Sequence, residues 1–220
     1  MTLNLIINTA VEPFGFSLEK DGSCLVSIKQ AGDRHFSESM ISMIDQYCRL
    51  YAQGLCDIDS IGVVNGPGSY TGIRIGVSYA KTLAYSLNCP VVGLSSLDSL
   101  AVQSISQSSV FAVILSAKPQ HVYFQLFNCV NTINPISDLV LLHIDDCFNL
   151  LESFKSRLDC FVCSKLPLFD MCSFQHLQFH SVDIDCSRLF VLLNKTLQAV
   201  TDPSVKNLSL NYICQPKIGA

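Results

Sequence analysis

Gly66-Pro-Gly-Ser-Tyr-Thr-Gly-Ile-Arg74 is a glycine-rich segment that directly follows the apolar run Ile61-Gly-Val-Val64 and Asn65. The apolar run predicts a buried strand, and the glycines and proline predict a tight turn after it. From Thr71 onward the spacing of apolar residues becomes helical. A strand, a glycine-rich turn and a helix N-terminus in this order are typical of α/β proteins and can bind an anion. The candidate anion-binding residues are Gly66, Gly68, Ser69, Thr71 and Arg74, although such a turn also occurs where it only packs.

The predicted helix carries small residues at every fourth position, namely Gly72, Gly76, Ala80 and Ala84. Residues with this spacing share one helix face and let another backbone approach closely. Two glycines inside a helix cost about 1 kcal/mol each relative to alanine. The close approach is therefore expected to be used. The neighbour is either a helix of another chain or the chain's own sheet, and composition favours neither.

Composition limits the classes of protein to which the chain can belong. Its 220 residues suit one large domain or two small ones, and its net charge of −4 argues against autonomous nucleic-acid binding. No apolar run approaches the roughly 18 residues of a membrane span, and the N-terminus lacks the pattern of a signal peptide. An odd count of eleven cysteines predicts reduced thiols rather than disulfides. We therefore expect a cytoplasmic protein with no membrane partner.

The order of predicted elements indicates two α/β lobes. A buried strand, a hairpin, a helix over 34–51 and a second strand and helix over 58–87 form a first lobe at residues 1–105. Residues 106–220 are expected to form a smaller, degenerate second copy of this plan. The C-terminal tail is expected to return to the first lobe.

Candidate catalytic and metal-binding patterns are weak. His176 and His180 have a metal-ligand spacing but lie in a segment without helical periodicity, and Cys160-Phe-Val-Cys163 is a single pair inside a predicted strand. The glycine loop lacks the lysine that ends a P-loop. The residues therefore predict no catalytic side chain and no metal site. Arg74 is unfavourable in the first turn of a helix, which indicates a carboxylate or anion partner; a solvated surface arginine is the alternative.

These motifs resemble the signature of the bacterial TsaB (YeaZ) family. The resemblance rests on Gly66–Val77 followed by Ala80-Lys-x-Leu-Ala84. Upstream, Arg34-His-x-Ser-Glu38 is similar to that family's Arg-His-Ser-Glu helix start, with one residue inserted. The resemblance is specific over residues 1–100 and faint afterwards.

The resemblance implies an actin-like fold (ASKHA, ribonuclease H-like) of two lobes, with a reduced second lobe. It implies a non-catalytic partner subunit in the synthesis of N6-threonylcarbamoyladenosine in tRNA, which stabilises and activates a TsaD-type catalytic paralogue. A TsaE-type ATPase would join the complex, and tRNA would be contacted only through it. This subunit alone would bind no cofactor, since ATP and metal are expected on the partner subunits. The chain alone would form a homodimer, and its preference between the two pairings stays open.

The resemblance further implies that the helices over 34–51 and 72–87 form the pairing surface. The residues expected at this surface are Phe36, Met40, Met43, Ile44, Tyr47, Ile73, Gly76, Val77, Ala80 and Ala84. On this interpretation, Gly76→Arg or Met43→Asp would prevent pairing and leave the fold intact.

Two departures from the family pattern favour a subunit without its own chemistry. Asn8-Thr-Ala10 stands where the family has Asp-Thr-Ser, and an acid at this turn serves the metal and phosphates in actin-like ATPases. In the second lobe, Ser116-Ala-Lys118 replaces the usual Asp-Ala-Arg. The alternative is a stand-alone enzyme of the same fold, either metallopeptidase-like or a phosphotransferase. It would need a helical metal pair or acids at the phosphate turns.

Overall fold

The computed structural model describes residues 2–31, 36–104, 110–130, 132–154, 160–164 and 179–211. The chain forms two compact units, one over 1–96 and 184–220 and the other over 97–183. The sequence analysis placed the boundary at residue 105 and expected the C-terminal tail to return to the first lobe. In the structure the chain leaves the first unit after Ser96 and returns to it at Ile184.

Both units are built from short strands and helices. The strands, in chain order, are β1 (Leu3–Asn8), β2 (Phe14–Lys20), β3 (Ser23–Gln30), β4 (Ile58–Gly66), β5 (Val91–Ser95), β6 (Val110–Ser116), β7 (His121–Val130), β8 (Thr132–Pro135), β9 (Val140–His143), β10 (Cys160–Ser164) and β11 (Phe179–Ser181). The helices are α1 (Phe36–Tyr51), α2 (Tyr70–Leu87), α3 (Ser96–Ala101), α4 (Ile144–Phe154) and α5 (Phe190–Ala199).

The first unit is built on a five-stranded sheet with the order β3-β2-β1-β4-β5. β1 runs parallel to β4, and β4 runs parallel to β5, whereas β2 and β3 are antiparallel to their neighbours. All six residues of β1 are buried because this apolar strand lies at the centre of the sheet. The predicted hairpin turn is confirmed at Asp21 and Gly22, which both have positive φ.

Helices cover both faces of this sheet. A Cβ built on Gly76 of α2 would lie 3.5 Å from the side chain of Val63, while one built on Gly62 would lie 3.3 Å from Leu193 of α5. Because adjacent strand residues point to opposite faces, α2 and α5 pack on opposite sides of β4. This is the layered arrangement expected of an α/β unit.

Asp185 anchors the returning segment to β3. Its carboxylate accepts hydrogen bonds from the Ser27 hydroxyl at 2.9 Å and from the Ser187 N–H and hydroxyl at 3.0 and 2.7 Å. The Lys29 ammonium lies 3.3 Å away. Partial burial raises the pKa of Asp185, but these hydrogen bonds and the charge of Lys29 outweigh it and lower the pKa to about 2. The carboxylate is therefore held in its charged form.

The second unit repeats the plan of the first. Its sheet has the order β11-β10-β6-β7-β8, and β9 pairs with another part of β7. The central strand β6 has an antiparallel hairpin partner on one side, β7, and a parallel strand on the other, β10. β1 has the same two kinds of neighbour in the first unit. One core cluster of this unit consists of Ala112, Ile114, Val122, Phe124, Cys147 and Leu151.

Candidate functional site

The glycine-rich loop between β4 and α2 is in contact with the chain near residue 211. The Asn211 N–H donates to the Asn65 carbonyl at 3.0 Å, and the Asn65 side chain donates to the Ser209 carbonyl at 3.0 Å. Gly66 has a φ of +116°, and a Cβ there would lie 2.6 Å from the carbonyl oxygen of Asn211. Glycine is required at this position by both the backbone conformation and the close approach.

The other side of the loop packs on the turn after β1. A Cβ on Gly68 would overlap the Ala10 carbonyl, and one on Gly72 would overlap the Thr9 carbonyl. The Ser69 N–H donates to the Ala10 carbonyl at 2.8 Å, and the Ser69 hydroxyl caps α2 by accepting from the Gly72 N–H at 3.2 Å. The N–H of Ser69, which belongs to the proposed anion-binding loop, and the neighbouring N–H of Gly72 are therefore already paired. Anion binding here stays a prediction, and an anion would have to displace these bonds.

Asn8 is fully buried in the turn after β1, at the position where the family pattern has an acid. Its amide NH2 donates to the carbonyls of Val11 and Pro13 at 2.8 and 3.0 Å. Its amide oxygen lies 3.2 Å from the N–H groups of Ala10 and Val11. The amide oxygen and the amide NH2 group thus both stabilise the turn. An aspartate could not do this, because it has no donor when ionised.

Arg74 is exposed in the first turn of α2, and its guanidinium lies 4.4 Å from the centre of the Tyr70 ring. In this cation–π contact the partner of the arginine lies on its own helix. The sequence analysis considered only an anionic partner or a solvated side chain. A carboxylate or anion partner for Arg74 stays a prediction.

The residues predicted for the pairing surface lie mostly in the core of the first unit. Eight of them are buried, namely Phe36, Met40, Ile44, Ile73, Gly76, Val77, Ala80 and Ala84. Met43 and Tyr47 are half-buried. The apolar stripe of an amphipathic helix faces its own sheet first, so following the apolar positions selected core residues. A pairing surface on these helices stays a prediction, and exposed residues would form it.

Two variants named from the sequence therefore test different things. A side chain at Gly76 would overlap the Thr9 hydroxyl inside the unit, so Gly76→Arg would disturb the fold. The expectation that it leaves the fold intact is corrected by this contact. Met43 is half-buried, so Met43→Asp would combine lost packing with any effect on pairing.

The exposed side of α2 is a further candidate surface, which the sequence analysis did not name as a pairing surface. We call it the outer face of α2 and define it by Thr71, Arg74, Ser78, Thr82 and Tyr85, which are all exposed. Tyr85 is 81% exposed. The signal in the sequence was the polar spacing opposite the small-residue stripe. On α1, Ile41 and Leu50 are also exposed apolar side chains.

The other candidates from the sequence lie in the second unit. His176 and the side chains of Cys160 and Cys163 lie outside the described residues, whereas His180 lies exposed in β11. Ser116 is the last residue of β6, and Ala117 and Lys118 follow it in the connection to β7. There, the Ala117 N–H donates to the backbone carbonyl of His121. Within the described ranges, no three His, Cys, Asp or Glu side chains gather as metal ligands. No helix in the described part of the chain has the length and apolar content needed to cross a membrane.

Comparison with known proteins identifies relatives in one pathway. The TsaB protein of Bacillus subtilis, named for tRNA threonylcarbamoyladenosine biosynthesis, is 44% identical over 75 residues, which cover 34% of this chain and 33% of that protein. The TsaB protein of Haemophilus influenzae is 28% identical over 122 residues, 54% of this chain and 51% of that protein. The alignments thus span a third to a half of these curated relatives.

A solved structure shows the fold over nearly the whole chain. YeaZ from Pseudomonas aeruginosa superposes with a TM-score of 0.75 at 16% identity, covering 97% of this chain and all of that one. The fold is therefore the two-lobed, actin-like arrangement that the sequence predicted.

The family is shown by a match over more than half of the chain. The family model described as TsaD, tRNA N6-adenosine threonylcarbamoyltransferase, matches residues 29–157. That match, the TsaB relatives and the YeaZ fold lead to one assignment. The chain belongs to this family, and the relatives and the solved structure that it is similar to are named TsaB and YeaZ.

Proposed function

We propose that this chain is a non-catalytic subunit in the synthesis of threonylcarbamoyladenosine in tRNA, which stabilises and activates a TsaD-type transferase. It contacts tRNA only through the complex, which also contains a TsaE-type ATPase. ATP and metal are bound by those partner subunits, and the complex works in the cytoplasm. The names of the matching relatives support the pathway.

The observation that carries the non-catalytic role is the closed turn around Asn8. Actin-like enzymes hold metal and phosphates with an acid at this turn. Here the buried Asn8 amide donates its NH2 to Val11 and Pro13 and accepts at its oxygen from Ala10 and Val11. The adjoining loop is packed against the same turn through Gly68 and Gly72. Opening this site would leave several buried polar groups unpaired, at a cost of about 1–3 kcal/mol for each.

The outer face of α2 has the chemistry of a helix-packing surface. The Thr82 hydroxyl donates to the Ser78 carbonyl, and the Ser86 hydroxyl donates to the Thr82 carbonyl, both at 2.9 Å. Bonded to their own helix, these hydroxyls need no partner across an interface. The face has a single charge, on Arg74, and small side chains around Ser78 leave room for a neighbouring helix. Tyr85 supplies an exposed aromatic anchor.

The test is co-purification of the chain with a TsaD-type paralogue. Ser78→Arg places a long cation at the centre of the outer face and leaves the backbone bond from Thr82 in place. We expect at least a tenfold loss of captured paralogue and a matching loss of tRNA modification in the reconstituted reaction. The control is Val191→Arg, because Val191 is 67% exposed on α5, on the opposite side of the sheet. Equal capture by Ser78→Arg and wild type would refute the proposed surface.

Two other functions are distinguished by separate measurements. A homodimer through the same helices would give twice the chain mass in solution, and Ser78→Arg would return it to the monomer mass without a paralogue being present. A stand-alone phosphotransferase of the same fold would bind ATP by itself. We expect no heat of ATP binding in a calorimetric titration of the isolated chain, and tight binding would favour the enzyme.

A further inference from the structure

His121 and His143 lie side by side on adjacent strands of the second unit's sheet. They are directly paired in the antiparallel register of β7 and β9. Their ring centres lie 5.3 Å apart and the ring planes meet at 85°. Directly opposed residues of an antiparallel pair have side chains close enough to share a ligand. The strand register therefore brings together two imidazoles that are 22 residues apart in the chain.

The Nδ1 atom of each ring already has a polar contact within the chain. His121 Nδ1 lies 2.9 Å from the carbonyl oxygen of Pro119, and His143 Nδ1 lies 3.3 Å from a carboxylate oxygen of Asp145. A backbone carbonyl and a carboxylate are the groups that commonly hold the Nδ1–H of metal-binding histidines. With the proton on Nδ1, the lone pair of Nε2 is free to bind a metal. The Asp145 N–H also approaches His143 Nδ1, at 3.4 Å, and this longer contact would be given up.

We propose that the Nε2 atoms of His121 and His143 bind one divalent transition-metal ion of the zinc class, with water completing its coordination. Two imidazoles on a tetrahedral zinc ion, with Zn–N bonds of about 2.0–2.1 Å, have ring centres about 5 Å apart. The observed 5.3 Å fits this geometry. In the structure the rings meet edge to face, so small adjustments about the soft terminal torsions would have to bring both Nε2 atoms to the ion while the Nδ1 contacts are kept.

The surroundings of the pair favour a nitrogen-preferring ion. Neutral imidazole suits zinc, copper and nickel, whereas magnesium and calcium require oxygen ligands. The His143 side chain is 36% exposed, so water can reach the ion and fill its remaining positions. Such an ion would link β9 to β7 next to the turn that contains Pro119. It would thereby stabilise one edge of the second unit's sheet.

The test is calorimetric titration of zinc into the full chain at pH 7.5. His121→Ala and His143→Ala are each expected to remove one equivalent of bound zinc, or to weaken its binding at least tenfold. His180→Ala is the matched control, since His180 is an exposed strand histidine elsewhere in the same unit. Counting equivalents against wild type separates this site from binding by the cysteines, which all variants retain.

Two further readouts exclude a folding artefact. Circular dichroism of each alanine variant without metal should match wild type, and His121→Asn provides a second variant that keeps a polar side chain. Zinc binding that is unchanged in both folded alanine variants, or lowered equally by His180→Ala, would overturn the proposal.

Discussion

The hydroxyl of Thr9 donates a 2.6 Å hydrogen bond to the carbonyl oxygen of Gly72 and so joins the turn after β1 to the first part of α2. Both residues are buried. The contact depends on glycine, because a Cβ at Gly72 would overlap the Thr9 carbonyl and one at Gly76 would overlap the Thr9 hydroxyl. The glycines of the family signature thus serve the packing of the chain's own first unit.

We predict that Gly72→Ala destabilises the first unit. Alanine would gain up to about 1 kcal/mol from helix propensity. The added Cβ meets a backbone carbonyl, however, and overpacking of this kind costs about 1–3 kcal/mol. The overlap should dominate, giving a lower midpoint of urea unfolding. Ser86→Ala, on the exposed side of α2, should shift stability by no more than about 0.5 kcal/mol. If Gly72→Ala were as stable as wild type, the turn that contains Thr9 would have moved to accept the Cβ without a measurable cost, which would contradict this prediction.

We predict that Asn8→Asp destabilises the fold in a pH-dependent way. The new carboxylate would face the carbonyls of Val11 and Pro13 without a donor, at a cost of about 1–3 kcal/mol or more. Burial near these oxygens would raise its folded pKa above the unfolded value of about 3.9. The destabilisation should therefore be full above the raised pKa and diminish as the pH falls toward 4. Urea unfolding at pH 7 and pH 4.5 measures it, and a cost independent of pH would contradict this account.

The sequence predicted the first unit well because its signals are local. β1 and β4 are apolar runs, and α1 and α2 have a helical period. What the sequence could not supply is the identity of each neighbour. A stripe of small residues shows that something approaches closely, and only the structure shows that the neighbour of Gly72 is Thr9.

Specific side-chain contacts, whether within a turn or between strands, were equally hidden from the sequence. Nothing local to Asn8 indicates that its amide spans the carbonyls of Val11 and Pro13. The pairing of His121 with His143 depends on the register of β7 and β9, which is set by the whole second sheet. The residues predicted for the pairing surface lie mostly in the core of the first unit for a related reason, because apolar periodicity indicates that a face is buried but does not identify what covers it.

Asp185 should give the first unit a stability that depends on acid pH. Its folded pKa of about 2 is below the unfolded value of about 3.9. A lowered pKa contributes stability above the unfolded pKa, and that contribution is lost as the pH falls through about 4 toward 2. Asp185→Asn should therefore be less stable than wild type at pH 7, with the difference shrinking toward pH 2. Chemical unfolding across this range measures it, with the exposed Asp138→Asn as the control.

Thiol reactivity should follow burial in the native chain. Cys56 and Cys24 are exposed, whereas Cys48 and Cys186 are buried. Burial, followed by the charge of Asp45, raises the pKa of Cys48 to about 11, and burial together with Asp185 raises the pKa of Cys186. Burial and the charge of Asp185 also raise the pKa of Cys24. Because the thiolate is the reactive form, iodoacetamide should modify Cys56 first among these four thiols and Cys24 next.

The buried pair, Cys48 and Cys186, should react only when the chain unfolds. Peptide mass spectrometry at successive times, with and without urea, measures the four rates separately. In urea the four thiols should react at similar rates, because the differences arise from the fold. Labelling of Cys186 in the native chain as fast as Cys56 would mean that the segment around Asp185 opens readily, and the anchoring by Ser27 and Lys29 would then be too weak to hold it.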